Sequence, residues 1–225
     1  MKTWERMIAM ASNGFRRVRV TYRLRFPYIS LDPFSCFDSI IARMIYEKDS
    51  RSIHPGEINA LIPIRKIYLE GSMYLHAASV PAFDIEFTEK HTYIQSTNAM
   101  RYGQTLSSRE IMRIRNIVNN SNGPWKSKIY GLPVVYTRSV SYVAEVPDDL
   151  YEYFETFVAD VRYIGKKRSL GYGMVKDVDI TDTDEPIIRP VPVNTGYSYS
   201  EPVFFTTIIP PYWKGERYLC GMANI

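Results

Sequence analysis

Between Arg16 and Phe26 the chain alternates without a break. Val18, Val20, Tyr22, Leu24 and Phe26 fall on one side, and Arg17, Arg19, Thr21, Arg23 and Arg25 on the other. Successive side chains of an extended backbone point to opposite faces, so this pattern predicts a strand buried on one face only. The other face carries four arginines, which meet either water or phosphate.

Helical stretches follow. Asp32 is placed to cap and Pro33 suits a first helical position. Phe34, Phe37, Ile40, Ile41, Met44 and Ile45 then form a stripe of period 3.6. Residues 47–55 read as a polar loop. Strand character runs from Ile64 to Phe87, in Lys66–Leu75 and again after Val80, while Thr88–Gly103 favours no element. Ser107 and Glu110 have the capping-box spacing, opening a second helix with Ile111, Ile114, Ile117 and Val118 on its apolar stripe. Arg109 and Arg113 share a face of it, with Arg115 also off the stripe. The breaker Asn119–Pro124 follows, then Trp125, Lys126 and Lys128, then a strand over Leu132–Tyr142. A third helix is capped by Asp148, turns Leu150, Phe154, Phe157, Val158 and Val161 to the core, and stops at Gly165. Tyr172–Ile180 reads as a strand, and Val203–Ile209 as the last one, before Pro210-Pro211-Tyr212-Trp213.

Strand, helix, two strands, helix, strand is the ferredoxin-like (RRM-like) α+β order. The expected organisation is a single domain over 1–225. Its core spans 16–180, a basic helical thumb is inserted around 101–131, and 181–225 forms a C-terminal β extension.

Charge is unevenly placed. Residues 16–25, 101–138 and 161–176 hold seventeen of the 28 Lys and Arg but one of the 24 acids, Glu110, although the net charge is only +4. Separate basic segments in an acidic remainder suit a polyanion surface, since each phosphate contact releases counterions; solvated faces are the plain alternative. Several of the eighteen tyrosines adjoin basic residues, as base stacking would use and as core edges also show. Two cysteines exclude a disulfide scaffold and a Cys-built zinc site, and three scattered histidines make no metal cluster. No cofactor or metal is expected. The sequence has no apolar run of membrane length and no signal-peptide pattern, so a cytoplasmic location without membrane contact is expected.

The segment Gly165-Lys166-Lys167-Arg168-Ser169-Leu170-Gly171-Tyr172-Gly173 carries the chemistry. Its glycines free the backbone for close approach to a ligand, its three consecutive cations supply charge for phosphate, and Tyr172 can anchor the loop or offer a ring. It is not a Walker loop, because no Gly-Lys-Ser/Thr closes it. Nor is it a dinucleotide fingerprint, because it leads from helix to strand.

A cationic Gly-aromatic-Gly loop between the last helix and last strand of a ferredoxin-like unit resembles the RAMP proteins of CRISPR systems. Ser30-Leu31-Asp32-Pro33-Phe34-Ser35-Cys36-Phe37-Asp38-Ser39-Ile40-Ile41-Ala42 resembles the first-helix motif of the type IV subunit three (the Csf group). Asn122-Gly123-Pro124-Trp125-Lys126 and Pro210-Pro211-Tyr212-Trp213 are similar to its central and C-terminal signatures. The resemblance implies a Cas-five-like, non-catalytic subunit that caps the 5′ handle of the crRNA. Its implied neighbours are a Cas-seven-like backbone subunit and a Cas-eight-like large subunit near the protospacer-adjacent motif of target DNA. Gly165, Lys166, Lys167, Arg168, Ser169, Gly171, Tyr172 and Gly173 would then cradle the handle. Lys126, Lys128, Arg109, Arg113, Arg115, Arg17 and Arg19 are further candidates for RNA contact.

Two other function classes remain. Some RAMPs cleave RNA without metal, and His54 lies where a general base would sit. Metal-free incubation of repeat RNA with the wild type and His54→Ala separates the two. A free-standing RNA-recognition module would instead show exposed aromatics on its central strands and bind sequence-selectively.

Overall fold

The computed structural model describes residues 14–25, 27–29, 35–49, 57–69, 73–95, 128–210 and 216–225. The chain divides into two units, one of Met1–Phe87 with Val135–Ile225 and one of Thr88–Val134.

The first unit is built on a mixed-length antiparallel sheet. The alternating segment forms β1 (Phe15–Leu24), whose Val18, Val20 and Tyr22 are fully buried. β1 pairs on one side with β6 (Lys128–Pro147) and on the other with β7 (Val175–Asp182), both antiparallel, with Arg17 opposite Glu145 and Arg23 opposite Asp177. The short β2 (Tyr28–Ile29) and the long β5 (Ala82–Gln95) also pair with β6, so the order is β7-β1-β6-β5 with β2 beside β6. β3 (Lys66–Tyr68) and β4 (Tyr74–His76) make a separate hairpin, as the strand character of that stretch suggested.

Two α-helices among the described residues cover the apolar side of β1. α1 (Asp38–Asp49) contributes Phe37 at its lead-in, Ile41 and Ile45; α2 (Tyr151–Ala159) contributes Phe154, Phe157 and Val158. Phe37 stacks on Tyr142 at 5.0 Å and meets Phe154 edge-on at 5.9 Å, joining both helices to the sheet. Truncating so central a ring costs about 3–5 kcal/mol, which makes Phe37→Ala the single change that would break this layer. No helix among the described residues is long and apolar enough to cross a membrane.

Both helices differ in extent from the sequence expectation. α1 begins at Asp38, not after Pro33, because the Phe37 N–H donates to the Ser79 carbonyl at 2.9 Å and the Ser39 hydroxyl to the Cys36 carbonyl at 2.7 Å. Those bonds hold the lead-in outside the helix; Asp32 and Pro33 lie outside the described residues. Its far end runs through Asp49, into the expected loop. α2 is preceded by a 3₁₀ turn over Asp148–Leu150, so the residues at the two cap positions are Pro147 and Leu150 and not Asp148, and it ends at Ala159, well before Gly165. Beyond it, Ile164 N–H donates to the Gly173 carbonyl and Val175 N–H to the Arg162 carbonyl, both at 2.9 Å. Backbone groups tied to the sheet cannot also close helical turns.

The end of the chain also differs. Val203–Ile209 is not the last strand: β8 (Ile188–Pro192), β9 (Tyr199–Thr206) and β10 (Tyr218–Asn224) form a three-stranded sheet in the order β8-β10-β9. It packs around Leu75, Val191, Ile208 and Cys220. Fully buried Arg189 on β8 fastens it to the first layer. Its Nη1 lies 3.5 Å from Asp38 and also donates to the His76 carbonyl, while Nη2 donates to the Ile208 carbonyl at 2.8 Å.

Of the second unit the described parts are 88–95 and 128–134, the last part of β5 and the first part of β6, with Leu132 and Val134 buried. The expected helix at Ser107, the Asn119–Pro124 breaker and Trp125 lie outside the described residues, as do Pro211–Trp213.

Candidate nucleic-acid interface

The glycine segment joins α2 to β7 and is fixed at its base. Tyr163 and Met174 form a bridge, Arg25 N–H donates to the Met174 carbonyl at 2.8 Å, and Gly173 N–H donates to the Pro27 carbonyl at 2.8 Å. Between these anchors the backbone turns left-handed at Gly165 (φ 76°), Lys167 (57°), Gly171 (88°) and Gly173 (64°). Lys167 holds that conformation at a cost of about 1–2 kcal/mol for a residue with a side chain. A 3₁₀ turn over Arg168–Leu170 forms the tip, closed by Leu170 N–H to Lys167 and Gly171 N–H to Arg168.

The two late glycines do different jobs. A Cβ on Gly173 would collide with the Ile164 carbonyl oxygen, so a hydrogen atom there is what lets strand and return chain meet. A Cβ on Gly171 would meet nothing within 4 Å, and only its positive φ calls for glycine. Beside Gly171 there is open space at the rim of a cationic turn.

Lys166 and Ser169 are exposed, and Lys167, Arg168 and Tyr172 half-buried. Arg25, Arg162 and Lys176, exposed at the base, add to the cationic surroundings. The acids nearby come from α1 and the end of α2. Glu47 lies 3.2 Å from Arg168 and 2.7 Å from Arg43, and Lys48 lies 2.5 Å from Asp160 while its ammonium sits 4.7 Å above the Phe157 ring. The hydrogen bond and charge of Lys48 hold the Asp160 carboxyl below its ordinary pKa. Because Leu170, Gly171 and Gly173 use their N–H groups within the fold, positive charge is what this loop chiefly offers an anion.

The arginines of β1 stand in a third arrangement, beyond the two expected. Arg17 reaches Glu145 at 2.6 Å and the Glu185 carbonyl at 3.2 Å; Arg19 pairs with Glu185, Arg23 with Asp177 at 3.4 Å and Arg16 with Asp182 at 3.8 Å. Glu145 also accepts from Arg65 at 2.6 Å. The acidic stretch after Lys176 therefore lies against the arginine face and neutralises it. Arg17 and Arg19 are not gathered with Lys166–Arg168 into one patch of unopposed charge.

Arg109, Arg113, Arg115 and Lys126 lie outside the described residues, as does His54; of Lys128 only the backbone, at the start of β6, is described. His76, not singled out from sequence, is buried. Its Nδ1 lies 3.3 Å from the Ile64 carbonyl and its Nε2 2.7 Å from the Asn59 side-chain amide. Among the described residues no group of three or more His, Cys, Asp or Glu could hold a metal ion. The sequence pattern does not mark Glu47 and Lys48 either: they are a charged pair at the polar end of an amphipathic stripe, and the partners that tie them to α2 and the loop, Asp160 and Arg168, lie more than a hundred residues on.

No protein-family model matches this sequence, and no curated protein does. Among solved structures the chain is similar to one in the cryo-EM structure of the Type III-B Cmr-beta bound to cognate target RNA. That match has a TM-score of 0.38 and 10% identity, covering 79% of this chain and 63% of that one. It is also similar to the crystal structure of a CRISPR protein from Archaeoglobus fulgidus, with a TM-score of 0.37 and 12% identity over 94% of this chain and 86% of that one. The chain thus spans 63% of the length of the first of these.

Proposed function

We propose that this chain is a non-catalytic RNA-binding subunit of a type IV CRISPR effector ribonucleoprotein. In this reading a RAMP domain grips the 5′ handle of the crRNA in the loop Gly165–Gly173. It sits beside a Cas-seven-like backbone subunit and a Cas-eight-like large subunit that meets target DNA near its protospacer-adjacent motif. The order β7-β1-β6-β5 with both helices on one face is what a ferredoxin-like unit would present, and it supports the fold side of this reading. The sequence signatures described above support the type IV assignment.

The observation that carries the proposal is the loop itself. Four left-handed positions within nine residues shape a Lys-Lys-Arg turn, with its base pinned through Gly173 and its rim open at Gly171. Such a turn reads charge and backbone spacing and not base identity, as a subunit that grips a ribose-phosphate chain requires. Replacing Lys166, Lys167 and Arg168 together by Ala should weaken binding of single-stranded handle RNA. It should also lower the slope of log K against log salt by about two units, since each lost phosphate contact accounts for about 0.7 on a single strand. A slope equal to that of the wild type would take the loop out of the interface.

A further inference from the structure

Phe87 on β5 and Tyr136 on β6 lie ring on ring, with centroids 4.1 Å apart and planes 14° from parallel. The ring pairs of the core are looser or more tilted: Phe37 with Tyr142 stands at 5.0 Å and 24°, and Tyr22 with Phe37 at 6.4 Å and 51°. Yet this pair is not a core pair. Phe87 is 52% exposed, and Arg138, next but one to Tyr136, is exposed as well. We infer that Phe87 and Tyr136 form a stacking platform for an unpaired nucleobase of the strand whose phosphates the glycine loop holds. This site rests on the RNA-binding reading of the loop and extends it from backbone to base.

Three observations carry it. Phe87 leaves more than half of its surface in water, so a base laid on it would bury apolar area that the fold alone leaves exposed. Tyr136 covers one face of the Phe87 ring, so the exposed part of that ring leaves its outer face for a flat base, and an exposed arginine close by along the strand suits a nucleotide better than an apolar protein surface. The platform also connects to the loop through contacts on the same unit. Gly173 N–H bonds Pro27, the neighbouring Tyr28 ring lies 5.5 Å from Phe83, and Phe83 is four residues before Phe87 on β5. Four residues of strand place Phe87 about 13 Å along β5 from Phe83.

The test uses the full chain and a short single-stranded RNA carrying one 2-aminopurine, with a matched strand that is abasic at that position. The platform predicts that 2-aminopurine fluorescence is quenched on binding and that the abasic strand binds at least about fivefold more weakly. Phe87→Leu, which keeps apolar bulk, should remove the quenching and the preference for a base while leaving the salt slope unchanged; Phe87→Trp should restore both. Equal affinity for the two strands, or quenching that survives in Phe87→Leu at every probe position, would overturn the platform. That failure is distinct from failure of the loop, which is read in the salt slope of the Lys166/Lys167/Arg168 variant. A lost base preference with the slope effect intact removes only the platform.

Discussion

The guanidinium of Arg168 stands 3.2 Å from the carboxylate of Glu47, an acid that already holds Arg43 at 2.7 Å on its own helix. One residue further on, Lys48 reaches Asp160. Consecutive side chains in the last turn of α1 thus hold both the end of α2 and the tip of the loop that follows it. The Glu47 pairing is half-exposed, and contacts of that kind contribute about 0–1 kcal/mol. It is strong enough to give Arg168 a resting position, and weak enough for a phosphate to replace.

Glu47 therefore competes with RNA for Arg168. Glu47→Gln should strengthen RNA binding about two- to fivefold at low salt, an advantage that fades as ionic strength rises. Fluorescence anisotropy titrations at two salt concentrations measure this. Weaker binding by the variant would mean that Glu47 positions Arg168 and does not restrain it.

The glycines give a ranking. Gly173→Ala forces a methyl group into the Ile164 carbonyl as well as a left-handed alanine, whereas Gly171→Ala suffers only the second. Gly171→Ala should cost about 1–2 kcal/mol, and Gly173→Ala clearly more, because its obstacle is backbone and cannot swing aside. Urea unfolding of the two variants compares them directly. Equal losses would mean that the return chain at Ile164 yields.

Arg189 and Asp38 are both fully buried and join the C-terminal sheet to the start of α1. Removing one partner leaves the other's charge in a dry interior, so Arg189→Met should cost about 3–5 kcal/mol. Adding Asp38→Leu to it should recover much of that loss, since no uncompensated charge then remains. Denaturant midpoints for both single variants and the double variant check the coupling; losses that simply add would show that the two groups act separately.

What the sequence disclosed follows from which forces are local. The period-two pattern of β1 and the apolar stripes of α1 and α2 state burial directly, and all three elements lie where those patterns placed them. Their ends were misplaced because tertiary bonds set them: Phe37 to Ser79 at one helix, Ile164 to Gly173 beyond the other. The loop was visible as spaced glycines around cations, but which glycine is packed and which is open depends on Ile164 approaching from across the turn. The acids that neutralise β1 were hidden for the same reason. Glu145 is 128 residues from Arg17 and Glu185 is 166 from Arg19, so the register of β1 with β6 brings the first pair together and the chain just beyond β7 the second. The Phe87–Tyr136 stack likewise needs the pairing of β5 with β6, two segments parted by the inserted stretch.

His76 supplies a pH dependence. Burial, reinforced by the positive charge of Arg189, pushes its pKa from 6.5 down to about 3, so the folded chain keeps this imidazole neutral. The unfolded chain protonates it below about 6.5. Between those values the unfolded state binds the extra proton, so stability rises with pH across the window and is lost as pH falls from about 6.5 towards 3. Full separation of the two states gives a slope approaching 1.4 kcal/mol per pH unit. Carboxylates in ion pairs lose stability in the same direction, so the measurement must be a difference. Urea unfolding between about pH 7 and pH 4 should show a shallower decline for His76→Gln than for the wild type, by up to one proton. Parallel declines would mean that the histidine takes up its proton without unfolding, which its burial and its place beside Arg189 argue against.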